Sequence, residues 1–449
     1  MQNKRSRDMT QGPIVRKIFD LSWPMIFGIL AVMSITLVDT YFVGQLGTKP
    51  LAALSFTFPV TFTISSLAIG LSAGTASVVA RAIGSKDEKK TKQLSTDGLA
   101  LSFLIVLVLS VSGYMVIKPL FSLMGAEGEV LDMIVRYMRI WFFSMPFLVI
   151  PMVVNALIRA AGDAFWPSVI MIASAVLNVI LTPAFIQGWS ILPAMDIEGA
   201  AIATLIARCL VFILAGALII FREKMLVFQK RSLQQIKHSW LEISKIAIPA
   251  AFGNALYPVT TGIVTAILAK YGDEAVAAYG AATRIEAFAC IPMFAMSAAI
   301  GPICGQNWGA GKSARVNEAQ MKSYIACVIW SSVIFALFLI TAPWIAQQFT
   351  SDEMVANYIK QYLLIVSLTF WGYGICIIAA GCYNAIGKPL YAVCYYALRC
   401  FVLYVPFCWL VSVISSEVEH VFYAIAFANI SSGIFIAYHA LRLRRQHNS

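Results

Sequence analysis

Charge is scarce in this sequence of 449 residues: Asp, Glu, Lys and Arg make up 12% of it, against 60% hydrophobic residues and a mean hydropathy of +0.79. Soluble domains use about 25% charged residues, so a soluble fold is excluded and a polytopic membrane protein is indicated. Histidine is almost missing as well. The four present, His238, His420, His439 and His447, fall in connections, at a span end or in the tail. Without His or recurring paired carboxylates inside the apolar runs, an intramembrane enzyme is disfavoured and no catalytic residue is assigned. The nine cysteines form no CxxC and no paired loop spacing, which excludes a disulfide framework and a zinc site. Neither a metal nor a cofactor is expected. The net charge of +11 sits between hydrophobic spans rather than along one soluble face, which argues against a nucleic-acid partner. No small-residue cleavage site follows the basic segment containing Lys4, Arg5, Arg7, Arg16 and Lys17, so the first apolar run reads as a retained span rather than a signal peptide.

What is abundant is apolar length. Stretches able to cross ~30 Å of hydrocarbon as helices lie near 18–45, 51–80, 96–117, 132–158, 165–187 and 197–221, then near 242–270, 275–305, 318–343, 355–384, 389–414 and 418–441. Twelve spans predict an all-α fold with both termini on one side. Lysine and arginine gather in the amino-terminal tail, in 81–92, 222–245 and 312–322, and at Arg442, Arg444 and Arg445, whereas the opposite connections carry Glu127, Glu129, Asp132, Asp196, Glu198, Asp273, Glu353 and Glu417. The excess of positive charge marks the cytoplasmic side, so both termini are expected there.

An internal repeat organises the chain. At a constant offset of 225 residues Pro24 meets Pro249, Phe27-Gly28 meets Phe252-Gly253, Thr40 meets Thr265, Tyr137 meets Tyr362, and Ala160 and Gly162 meet Ala385 and Gly387. Six spans per repeat predict two lobes related by an axis along the membrane normal, over 1–221 and 242–449, with 222–241 as a cytoplasmic linker. Repeats of this kind belong to transporters, with substrate at the repeat interface and alternating access by rocking.

Asp39 is the costly residue, a carboxylate inside an apolar run, and such a group by default marks an ion or proton path. On the fifth span Ser174, Asn178 and Thr182 recur every four residues and share one helical face. Tyr137, Asn155 and Thr204 add hydrogen-bonding groups from the fourth and sixth spans. The plain alternative for the uncharged members is interhelical hydrogen bonding, ~0.6 to 2 kcal/mol each. The acid is not duplicated: Val264, Ala380 and Leu403 stand opposite Asp39, Asn155 and Asn178. Coupling is therefore expected in the first lobe, and the second lobe is expected to offer a more apolar wall of Phe252, Tyr257, Phe288, Met293, Phe294 and Met296, suited to apolar or cationic ligands. Pro24, about four turns before Asp39, is a candidate hinge, with a static kink as the alternative. Arg208, Arg284, Glu286 and Arg399 are assigned to pairing or snorkelling.

Asp39-Thr40-Tyr41-Phe42-Val43-Gly44, Leu51-Ala52-Ala53-Leu54, Arg159-Ala160-Ala161-Gly162-Asp163 and Gly305-Gln306-Asn307-Trp308-Gly309-Ala310 together resemble the MATE (multidrug and toxic compound extrusion) family, and within it the DinF-like branch. The resemblance covers essentially the whole chain. It implies a bacterial inner-membrane antiporter, lipid-embedded and expected as a monomer, that exports amphipathic and often cationic compounds against H⁺ or Na⁺. It also implies coupling roles for Asp39, Tyr137, Asn155 and Asn178 and a bend at Pro24. The family pattern has a second acid on the fifth span where this chain has Thr182. A hard cation favours several oxygens whereas a proton needs one acid, so H⁺ coupling is expected, with Thr182 and Thr204 helping to organise the site. A sodium-coupled exporter and a lipid-carrier flippase of the same superfamily are the alternatives, the latter wanting a strongly basic cavity.

Overall fold

The computed structural model describes residues 8–188, 194–227 and 232–448, with side chains as far as Arg442. Lys4, Arg5, Arg7, Lys230 and Arg231, and the side chains of Arg444 and Arg445, lie outside the described residues. Among those described the chain is helical and has no strand, as expected where lipid offers the backbone no hydrogen-bond partner. The first half runs α1 (Ile14–Gln45), α2 (Thr48–Gly84), α3 (Glu88–Leu123), α4 (Gly128–Phe143), α5 (Met145–Ala160), α6 (Phe165–Gln187) and α7 (Asp196–Ala217), and ends in a π-helical turn, Leu218–Glu223. The second half runs α8 (Leu233–Leu268), α9 (Asp273–Ala289), α10 (Ile291–Gly309), α11 (Ser313–Phe349), α12 (Glu353–Val366), α13 (Phe370–Ala385), α14 (Pro389–Ala397), a π-helical stretch Leu398–Tyr404, α15 (Val405–Ile414) and α16 (Val418–Asn448). Among the described residues ten helices or helix runs are long and apolar enough to span a membrane, and up to twelve spans result when two bent pairs are counted as one span each.

Those bends are in the fourth and eighth spans: 43° between α4 and α5, and 48° between α9 and α10. Pro146 and Pro292 follow the breaks by two residues and cannot donate the i→i−4 bond. Side chains from neighbouring helices satisfy the carbonyls set free around the bends. Ser110 Oγ donates to the Phe142 carbonyl at 2.6 Å, and Trp330 Nε1 donates to the Ala289 carbonyl at 2.8 Å. The bends are thus built in by sequence and held by packing.

Two compact units result. One holds Trp23–Ala251, the other Met9–Ser22 with Phe252–Ser449. The unit boundaries therefore fall inside α1 and α8, beside the repeat-related Pro24 and Pro249. Of the expected linker, everything from Leu233 onward is already α8, and its first turns belong to the first unit. They lie close on α2: a Cβ at Gly70 would sit 2.4 Å from the Ala247 carbonyl oxygen, and one at Gly74 2.8 Å from that of Ile243. Trp240 Nε1 donates to the Asp97 carbonyl at 3.0 Å, and Arg81 pairs with Glu242 at 3.6 Å.

In the second unit the short segment before α1 is strapped to the end of α10. Met9 N donates to Gln306 Oε1 (3.1 Å), Asn307 Nδ2 to Met9 O (2.9 Å), Lys312 Nζ to Thr10 O (2.9 Å) and Arg315 Nη2 to Gly12 O (2.9 Å). Two residues of the Gly305–Ala310 motif thereby gain a structural task, receiving the turn at Met9–Thr10.

Candidate functional site

In the first unit the polar residues converge on Asp39. The four-residue spacing on α6 turns Asn178 and Thr182 to one side, where both are buried, at 1% and 0% exposure. Thr182 Oγ1 donates to Asp39 Oδ1 at 2.9 Å, and Asn178 Oδ1 lies 3.4 Å away as a second acceptor for the same hydroxyl. Asn178 Nδ2 in turn donates to Thr204 Oγ1 on α7 at 3.3 Å. A chain of three hydrogen-bonding side chains thus runs from α7 through α6 to the half-buried carboxylate on α1.

Arg208, one turn after Thr204, interacts electrostatically with Asp39, as does buried Tyr137. Its Nη1 donates to Ser144 Oγ at the α4–α5 bend, and its guanidinium lies 5.4 Å from the centre of the Trp141 ring. Arg208 and Ser144 are the members that sequence reasoning missed. The signal was available, since a lone arginine on an apolar span is as costly as the lone aspartate that was singled out.

Other expected members stand apart. Asn155 is buried on α5, with its Oδ1 lacking a partner, and makes no hydrogen bond to Asp39, Asn178 or Thr182. Ser174 is half-buried. Pro24 lies within the continuous helix α1. The site around Asp39 holds one carboxylate, hydroxyl and amide oxygens from Thr182, Asn178 and Thr204, and the guanidinium of Arg208 as an electrostatic neighbour. Among the described residues no three His, Cys, Asp or Glu side chains converge as metal ligands.

The apolar wall expected in the second unit needs correction. Met293 and Met296 are core side chains, 0% and 8% exposed, because α10 turns them inward; Phe252 is well exposed, and Tyr257, Phe288 and Phe294 are half-buried. Behind these rings the unit is polar. Glu286 (3% exposed) accepts from the hydroxyls of Tyr362 and Tyr257, the latter at 3.4 Å. Arg399 (1%) donates from Nε to Asn429 Oδ1 at 3.0 Å. Neither charge snorkels, since both sit in mid-span surrounded by tyrosines, and only Arg284 is exposed.

The MatE family model matches residues 24–184 and again 249–410, so its two copies begin 225 residues apart, as the internal repeat does. The chain is 35% identical to the FAD transporter of Shewanella oneidensis over 98% of its own length and 97% of the relative's. It is 26% identical to the multidrug export protein MepA of Staphylococcus aureus strain N315, covering 86% and 85% of the two chains. The crystal structure of the Vibrio cholerae MATE transporter VcmN in the bent form superposes with a TM-score of 0.91 at 30% identity, covering 97% of this chain and 98% of that one. With a twice-repeated family match and relatives aligned end to end, the chain belongs to the MATE family of multidrug efflux transporters and is a secondary transporter, not an enzyme.

Proposed function

We propose that this protein is a proton-coupled antiporter of a bacterial inner membrane, of the DinF-like type, with both termini cytoplasmic and Asp39 as the coupling group. The observation that carries the reading is the shared hydroxyl of Thr182, placed 2.9 Å from Asp39 and 3.4 Å from Asn178. A hydroxyl has one proton to donate. While Asp39 is ionised, the Thr182 hydroxyl donates its hydrogen bond to the carboxylate. Once Asp39 is protonated, the acid donates its own O–H to Thr182, and the Thr182 hydroxyl turns to Asn178 Oδ1. One bound proton thus reverses the bond between α1 and α6 and redirects the Thr182 hydroxyl to Asn178, which is ready to receive because its amide is anchored on Thr204 of α7. The single carboxylate and the neighbouring Arg208 favour H⁺ over Na⁺. Alternating access then uses Pro24 as the bend near which α1 passes from one unit to the other.

The test uses proteoliposomes with separately imposed pH and Na⁺ gradients. Dye efflux is expected to follow the pH gradient and to vanish in Asp39→Asn. Efflux driven by Na⁺ at fixed pH, or an active Asp39→Asn variant, would refute the assignment.

For the substrate, small organic compounds are the common ground among relatives. A second reading, export of a flavin dinucleotide, is favoured by the end-to-end alignment with the Shewanella FAD transporter at 35% identity. Transport of a dye and of FAD, measured side by side, separates the two. A lipid-carrier flippase would instead move a labelled polyprenyl lipid and neither of those substrates.

A further inference from the structure

Arg399 is an unusual buried charge. It lies within the π-helical stretch Leu398–Tyr404, a distortion that in other proteins is frequent at functional sites. Its guanidinium faces the rings of Tyr373, Tyr257 and Tyr404, with centroids at 4.2, 5.4 and 5.5 Å. One edge is held by Asn429, which itself donates to Thr369 Oγ1 at 3.1 Å. Nη1 is fully buried and has no hydrogen-bond partner. No carboxylate of the described residues lies within ion-pairing distance. Glu286, the nearby acid, has an oxygen engaged by each of two tyrosine hydroxyls. A buried charged donor without a hydrogen-bond partner is costly, and aromatic faces compensate a guanidinium only in part.

Three of these residues match members of the first unit's site, and Arg399 matches Ser174 on the same helix as Asn178 and Thr182. At the 225-residue offset Arg399 corresponds to Ser174, Asn429 to Thr204, Tyr362 to Tyr137 and Thr369 to Ser144. The second copy keeps these four positions polar, replaces Asp39, Asn155 and Asn178 by Val264, Ala380 and Leu403, and puts an arginine where the fifth span has Ser174. Beside it, Tyr257 and Tyr373 stack at 5.2 Å with planes 18° apart, and Phe294 meets Tyr373 edge-on at 6.0 Å. Tyr257 and Phe294 are the half-exposed members of this group.

We propose that Arg399 is the anion-recognition point of a substrate subsite inside the second unit, which takes a planar aromatic ring carrying a phosphate or carboxylate. The ring stacks on Tyr257 and Phe294. The anionic group replaces the missing partner at Nη1, where a charge-assisted hydrogen bond is strong. This deepens the flavin reading of the substrate but needs no ion gradient, so it stands or falls separately from coupling at Asp39.

The experiment is equilibrium binding to the purified full-length protein, read by fluorescence, with riboflavin, riboflavin 5′-phosphate and ethidium as probes. The wild type is expected to bind the phosphorylated flavin at least about tenfold more tightly than riboflavin, the effect of one charge-assisted contact. Arg399→Lys, which loses the forked donor, is expected to bring that ratio close to one while ethidium binding stays within about twofold. Asn429→Asp supplies an internal carboxylate to an unaltered Arg399 and is expected to suppress the ratio in the same way. Equal wild-type affinity for the two flavins would overturn the proposal. So would either variant weakening all three probes together, or a ratio that survives both substitutions.

Discussion

Thr182 is the residue on which the coupling site turns. Its hydroxyl bonds to both Asp39 and Asn178, so replacing it with an isosteric apolar side chain removes the relay without removing volume. Thr182→Val is expected to lower pH-driven efflux about tenfold, the scale of one hydrogen bond to a charged group. Thr182→Ser, which restores the hydroxyl, is expected to stay within about threefold of wild type. Initial rates in the same vesicles decide it, and equal rates for Val and wild type would show that the hydroxyl carries nothing. This site was partly legible in the sequence. Asp39 was conspicuous by its cost, and Asn178, Thr182 and Thr204 by spacing and chemistry. Asn155 looked equivalent by type, yet contact depends on which way the bent fourth span turns it, and periodicity cannot supply that. Arg208, Glu286 and Arg399 were visible as charges in apolar spans, but their tyrosine and serine partners come from other helices and have no signature in one dimension.

At the level of helices, glycine on α2 sets how closely the first turns of α8 approach. A side chain at Gly70 would collide with backbone, 2.4 Å from the Ala247 carbonyl oxygen and 2.7 Å from the Ala251 nitrogen, and backbone cannot turn aside as a flexible side chain can. Gly70→Val is therefore expected to cost about 1–3 kcal/mol through overpacking, seen as a lowered melting temperature of the purified protein. Gly216, whose Cβ would meet nothing within 4 Å, serves as the control and should tolerate Ala. An unchanged melting temperature in Gly70→Val would mean that the helices separate freely there. Helix existence was easy to read from apolar length, and the bend in the fourth span lies two residues before Pro146. The π-helical stretch around Arg399 was not foreseen, although Pro406, two residues beyond Tyr404, cannot donate to the Val402 carbonyl and so leaves a mark in the sequence.

Across the whole molecule, the two units are not consecutive pieces of chain. Met9–Ser22 belongs with the half that starts at Phe252, and the first turns of α8 belong with the half that precedes them. A division at the basic connection, attractive from sequence, hides this exchange because hydropathy reports only that a helix is apolar, not which neighbours it meets. The strap is open to test: Thr10 is 9% exposed and held by Lys312. A cysteine placed by Thr10→Cys is expected to react slowly with a maleimide, and at least about tenfold faster when Lys312→Ala and Arg315→Ala remove two of the donors, on the view that labelling follows local opening. Equal rates would show that the strap opens freely without them.

The strap also has a timetable. The hydrogen bond from Met9 to Gln306 joins residues 297 apart in the chain. At about 5–20 residues per second of synthesis, the opening segment waits roughly 15 to 60 s before the surface that receives it has been made. During that interval the first span must hold its place in the membrane with the segment around Met9 unclaimed, and the docking of Met9 follows the synthesis of Gln306.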